Sequence, residues 1–171
     1  MNLAWIGLGA NLGRPENTLK MALAALDALP ATRVRAVSPA YWTAPWGRLD
    51  QPEFLNAVAG VQTDRGAFEL LHDLLSLESR LGRARSGLRW GPREIDLDLL
   101  LFNEDVLASD ELTLPHPRMH QRAFVLVPLA DLAPDLEVPG RGRVAELLDA
   151  LPDEELDGVR PAGKLRSAPR P

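Results

Sequence analysis

Two stretches of helical period, each set between apolar runs of strand length, constrain this chain more than any other feature. Residues 15–29 put Leu19, Ala22, Leu26 and Leu29 on one helical face, with Pro15 near the start and Pro30 as the stop. Residues 67–82, AFELLHDLLSLESRLG, form the strongest helical pattern, ending on arginine and Gly82. Around these helices stand LAWIGLG (3–9), the alternating TRVRAVS (32–38), FLNAVAGVQT (54–63) and the apolar strand that begins IDLDLLLF. The order strand, helix, strand, strand, helix, strand predicts a ferredoxin-like α+β sandwich: an antiparallel sheet with helices packed on one face.

Between those elements, YWTAPWGRLDQPE (41–53) holds prolines and a glycine and reads as an aromatic loop. LTLPHPRMHQR (112–122) is turn-rich, and helices are expected over 123–134 and 144–152. Neither a repeat nor a linker divides the chain. One domain is expected over 1–152, followed by a mobile tail over 153–171, which is rich in Pro, Arg and Gly.

A chain of 171 residues with 46% apolar and 25% charged residues can bury a core of its own. It has no cysteine, which removes thiolate chemistry, disulfides and cysteine-ligated metals. The first residues show no basic, cleavable leader, and no apolar run reaches spanning length, so a cytoplasmic protein without a membrane partner is expected. The formal net charge of -5 argues against nucleic acid as a partner. Yet Arg80, Arg83, Arg85, Arg89 and Arg93 follow one another with no acid between them. A cationic loop on an acidic protein points to a small anion.

The strand after that loop carries Asp96 and Asp98. Alternation puts both on one face, roughly 6.6 Å apart along the strand, with Ile95, Leu97 and Leu99 on the other. Two carboxylates so placed can converge on hard cations such as Mg²⁺, or pair with arginines at a sheet edge. Arginines nearby can hold phosphates bidentately, and phosphoryl transfer needs positioning and charge neutralisation above all. Gly82, Gly87 and Gly91 suit a loop that moves over a charged ligand.

Other motifs are weaker. GLGANLG (7–13) has the spacing G-x-G-x-x-x-G rather than a dinucleotide fingerprint, so Gly9 and Gly13 read as a strand-to-helix turn. No Walker glycine–lysine loop occurs. His116 and His120 are spaced like helical metal ligands but lack a third nitrogen or sulfur donor nearby; His116, between prolines, is better placed to donate to a phosphate. Tyr41, Trp42, Trp46 and Phe54 can sandwich a flat heterocycle or simply pack in the core.

Taken together, RWGPREIDLDLLLF, GLGANLG, YWTAPWG with DQPEFLNA, LESRLGRAR and LTLPHPRMHQRAFVLVPL resemble, in order, the motifs of the 6-hydroxymethyl-7,8-dihydropterin pyrophosphokinase family, over roughly residues 3–135. The resemblance implies transfer of a diphosphoryl group from ATP to a reduced pterin alcohol, releasing AMP, with two Mg²⁺ ions on a ferredoxin-like fold with mobile loops over the active site. It implies that Asp96 and Asp98 hold both ions and that Arg83 and Arg93 close over the triphosphate. Arg85, Arg89, His116 and Arg122 would be further phosphate or nucleotide contacts, with Glu78, Trp90, Leu99 and Thr113 near the nucleotide. The pterin would stack between Phe54 and Phe124, its edge read by Asn56 and by the backbone around Thr43, Ala44 and Trp46. A monomer is expected.

Two positions depart from the family pattern. Leu75 stands where a glutamine is frequent, three residues before Glu78, and Glu111 stands where some members carry a basic residue; Glu111 is expected to face solvent. Two other classes fit the residues: a two-metal nucleotidyl transferase that releases pyrophosphate, and a non-catalytic module that senses a small anion.

Overall fold

The computed structural model describes residues 1–44, 51–86 and 95–165, with 83–86 described by backbone alone. Strand β1 (Asn2–Ala10) leads through a turn at Gly13, whose φ of 63° suits glycine, into helix α1 (Pro15–Asp27). Pro15 occupies the first helical turn, where its missing N–H costs nothing, and Glu16 faces the positive end of the helix. β2 (Thr32–Val37) and β3 (Pro39–Thr43) are two segments of one path along the same neighbour, β4 (Phe54–Thr63). Helix α2 (Ala67–Ser86) starts with the Glu69 carboxylate accepting the Gly66 N–H at 3.2 Å, and β5 (Asp96–Phe102) follows it.

The remaining elements are short. β6 (Leu107–Ala108) and β7 (Thr113–Leu114) form a hairpin, and a 3₁₀ turn (Met119–Gln121) precedes helix α3 (Ala123–Leu132). A second hairpin, β8 (Glu137–Val138) and β9 (Gly142–Arg143), leads into α4 (Val144–Asp149); α5 (Asp153–Asp157) and β10 (Arg160–Lys164) follow. The main sheet runs β10-β3-β4-β1-β5, with β2 also on β4, and every pairing in it is antiparallel. No helix among the described residues is long and apolar enough to cross a membrane.

This is the expected α+β architecture, but helices cover both faces rather than one. Ala4, Ile6 and Leu8 of β1 pack with Leu19, Ala22 and Leu26 of α1 and with Leu70, Leu74 and Leu77 of α2. On the opposite face Trp5, Val58 and Leu100 pack with Val125, Leu126 and Leu129 of α3 and with Val144 of α4. A register shift between Trp5 and Ile6 makes Leu100 an extra residue in β5, so Leu101 joins Leu100 on the α3 side.

Three further boundaries differ from the sequence expectation. Tyr41, Trp42 and Thr43 are strand rather than loop, because β4 pairs them on one side and β10 pairs Tyr41 and Trp42 on the other. Helix α2 runs through Gly82, at the ordinary cost of about 1 kcal/mol for a helical glycine, and so carries the backbone of Arg83 and Arg85. The segment expected as a tail from residue 153 contains α5 and the sheet strand β10, whose partner lies more than a hundred residues earlier and leaves no local signature.

Candidate active site

Sheet register builds the floor of the site. β1 lies between β4 and β5, and Gly9 is level with Asn56 on one side and Asp96 on the other. Gly7 is likewise level with Val58 and Asp98. The expected turn role for Gly9 therefore gives way to a place within β1. A Cβ there would stand 3.1 Å from Asn56 Oδ1, so the glycine is what lets the amide lie across the strand. Tyr41 extends the same row as the partner of Asn56 on β3.

Above this floor is a cavity of about 500 Å³, a volume suited to a small ligand. Gly7, Gly9, Asn56, Asp96 and Asp98 line it from the sheet, Thr43, Ala44 and Phe54 from the facing ends of β3 and β4, and Arg118, Gln121, Arg122, Phe124 and Val125 from the start of α3 and the turn before it. One end is aromatic. There Phe54 and Phe124 line the wall, and the Arg122 guanidinium sits 5.4 Å from the Phe124 ring centre, within cation–π range. Asn56 and Thr43 are only 6% and 7% exposed, and Asn56 Nδ2 donates to Thr43 Oγ1 at 2.8 Å. That bond fixes the amide's orientation and leaves Oδ1 as an acceptor toward the cavity.

The other end is charged. Asp96 and Asp98 emerge on the α3 side because Leu97 and Leu99 are claimed by the α1/α2 core. Glu78, on α2, accepts the backbone N–H of Leu97 at 2.8 Å, which anchors β5 between the two aspartates. His116 donates its backbone N–H to Leu100 O at 2.9 Å, and its Nδ1 accepts the Arg118 N–H at 3.2 Å. With Nδ1 accepting, the neutral ring carries its proton on Nε2. Burial pushes the His116 pKa down; the Asp98 charge opposes that, and Arg122 and Arg118 reinforce it. Two carboxylates facing a cavity are hard oxygen donors of the kind Mg²⁺ takes when phosphate and water complete its shell.

Of the residues singled out by sequence, the structure brings Asp96, Asp98, Thr43, Ala44, Phe54, Asn56, Arg122 and Phe124 to this one cavity. Thr113 is an exposed residue of β7, and Glu78 and His116 flank β5. Leu99, placed by alternation on the face opposite the aspartates, has its side chain in the α1/α2-side core, 4% exposed. Only its backbone, on the same outer edge of β5 as the Leu97 N–H, remains for a ligand. Trp46, Arg89, Trp90 and Arg93 lie outside the described residues, as do the side chains of Arg83 and Arg85.

Glu111 faces solvent as expected, its carboxylate paired with His72, and Leu75 is 46% exposed on α2. His120 turns its Nε2 to Arg141 at 2.6 Å, and no group of three or more His, Cys, Asp or Glu suited to a metal occurs among the described residues. Gly9, Arg118 and Gln121 were not singled out as ligand contacts. For Arg118 and Gln121 the available signal was their place in the basic, turn-rich segment just before α3.

The family model for 7,8-dihydro-6-hydroxymethylpterin-pyrophosphokinase (HPPK) matches residues 5–134. A Pseudomonas aeruginosa protein named 2-amino-4-hydroxy-6-hydroxymethyldihydropteridine pyrophosphokinase is 48% identical over 153 residues, covering 90% of this chain and 94% of the relative. A Bacillus subtilis protein of the same name is 45% identical over 136 residues, covering 80% and 81%. The wild-type Plasmodium falciparum HPPK-DHPS crystal structure superposes with a TM-score of 0.66 at 14% identity, over 87% of this chain and 43% of that one. The present chain thus spans less than half of that structure's length, and the likeness at such identity concerns the fold. The chain belongs to the 7,8-dihydro-6-hydroxymethylpterin-pyrophosphokinase family.

Proposed function

We infer that this chain transfers a diphosphoryl group from ATP to the hydroxymethyl group of 6-hydroxymethyl-7,8-dihydropterin, giving the pterin methyl diphosphate and AMP in folate biosynthesis. The observation that carries this reading is a single cavity with an aromatic, amide-lined end and a dicarboxylate end. A flat heterocycle between Phe54 and Phe124 gains stacking and loses water, and Asn56 Oδ1 accepts from an N–H on its edge. The alcohol it carries then projects toward Asp96 and Asp98.

In the reaction the alcohol oxygen bonds to the β-phosphorus, the bond from that phosphorus to the α-phosphate oxygen breaks, AMP leaves, and the alcohol proton is released. Asp96 and Asp98 are the residues that would hold Mg²⁺, two ions by the family pattern. Bound there, Mg²⁺ would neutralise phosphate charge and acidify the alcohol. His116 donates from Nε2–H to a phosphate oxygen, and Arg122 adds a fixed positive charge at the cavity wall. Glu78 keeps β5, and with it the carboxylates, in place. In the same reading Arg83 and Arg93 close over the triphosphate, and Arg85, Arg89, Trp90, Thr113 and the Leu99 backbone complete the nucleotide site. Trp46 joins the pterin edge, and the enzyme works as a monomer in the cytoplasm.

Incubation with ATP, Mg²⁺ and the reduced pterin, followed by mass spectrometry, tests the reading. AMP and a pterin diphosphate are expected. Pyrophosphate release would indicate nucleotidyl transfer instead, and binding without turnover would indicate an anion-sensing module.

A further inference from the structure

Strand β10 lies beside β3, the strand whose end supplies Thr43 to the cavity. Arg160, the first residue of β10, is the backbone partner of Trp42, and its guanidinium pairs with the Glu53 carboxylate. Trp42 immediately precedes Thr43, and Glu53 immediately precedes Phe54; Thr43 and Phe54 are themselves cross-strand partners that line the cavity. One residue thus grips the ends of both strands that supply the aromatic, amide-lined wall. The same segment backs that wall elsewhere: a second cavity of about 310 Å³ separates Glu154, Glu155, Gly158 and Val159 from Thr43, Ala44 and Phe124.

We propose that Arg160 is a positioning residue for the heterocycle, a clip from β10 that sets the spacing of the β3 and β4 ends through Trp42 and Glu53. The ion pair is half exposed, 57% for Arg160 and 48% for Glu53, so its contribution to global stability is small and its effect is local. Neither Arg160 nor Glu53 is among the residues that line the cavity with Asp96 and Asp98. Its loss therefore weakens capture of the pterin and spares the handling of ATP. The substrate part of this proposal rests on the diphosphoryl-transfer reading above.

The test compares wild type with Arg160→Ala, Glu53→Ala, Arg160→Lys and the exchanged pair Glu53→Arg with Arg160→Glu. Pterin KM is expected to rise about fivefold in each alanine variant, near the upper end of what an exposed pair supplies, with ATP KM, kcat and Tm little changed. Arg160→Lys and the exchanged pair are expected to return pterin KM toward wild type. Amide hydrogen exchange supplies a readout independent of any substrate: faster exchange at Thr43 and Phe54 in Arg160→Ala, with α1 and α2 unaffected. Unchanged exchange overturns the clip. Faster exchange with unchanged pterin KM, an equal rise in ATP KM, or no recovery in the exchanged pair overturns the positioning role. A wild-type protein that makes no pterin diphosphate overturns the diphosphoryl-transfer reading and the pterin role with it, while the exchange comparison still decides the clip.

Discussion

Glu78 accepts the backbone N–H of Leu97, the amide that lies between Asp96 and Asp98. A carboxylate on α2 therefore fixes the edge strand that presents the two candidate metal ligands. Replacing it with alanine frees a hydrogen-bonding position at the strand edge, whereas glutamine keeps an acceptor at nearly the same place. Glu78→Ala is expected to weaken activation by Mg²⁺ about tenfold, the order seen when an outer partner of a ligating group is lost. Glu78→Gln should stay within a few-fold of wild type. Titrating activity against Mg²⁺ for the two variants checks this, and equal losses would mean that the charge of Glu78 matters rather than its bond to Leu97.

Asn56 separates heterocycle recognition from phosphate handling. Its Nδ2 is committed to Thr43 and its Oδ1 lies across Gly9. Asn56→Ala removes the acceptor and is expected to raise pterin KM about tenfold, the cost of one lost hydrogen bond in a buried site, with ATP KM little changed. Steady-state kinetics with each substrate varied in turn reads this directly. Gly9→Ala should act in the same direction, because the added methyl pushes on Asn56 Oδ1.

Tyr41 ties the row that includes Asn56 to the helix above it, through a hydrogen bond to Asp131 on α3. Burial first, then that bond and the Asp131 charge, push the Tyr41 pKa up to about 12 from 10.0. The folded state thus holds a proton that the unfolded state releases. The associated stability is present below pH 10 and is lost as pH rises from there toward about 12. Thermal melts should show wild-type Tm falling more steeply across that interval than Tm of Tyr41→Phe. Parallel slopes would show that Tyr41 is not the group responsible.

What could be read from the sequence was local or strongly periodic. The face shared by Asp96 and Asp98 follows from strand alternation, and α1 and α2 follow from the spacing of Leu19, Ala22 and Leu26 and of Leu70, Leu74 and Leu77. Tyr41–Thr43 were not legible as strand, since prolines flank them and their conformation is fixed by β4 and β10. β10 itself contains Pro161 and Gly163, weak strand formers that an edge position tolerates. Gly9 looked like a turn glycine because its role, clearance for Asn56, exists only once β1 and β4 are in register. The motif order carried the family, while the second helical layer over Trp5 and Val58 depended on packing that no local pattern expressed.

The most direct measurement follows the products of ATP and 6-hydroxymethyl-7,8-dihydropterin by mass spectrometry, for wild type and Asp98→Ala side by side. AMP and pterin methyl diphosphate are expected in equal amounts from wild type. Asp98→Ala, with an unchanged far-ultraviolet circular dichroism spectrum, is expected to lose at least about a hundredfold in rate. Near-normal turnover by the folded Asp98→Ala protein would contradict the dicarboxylate end as the site of phosphoryl transfer, and absence of AMP from wild type would contradict the reaction itself.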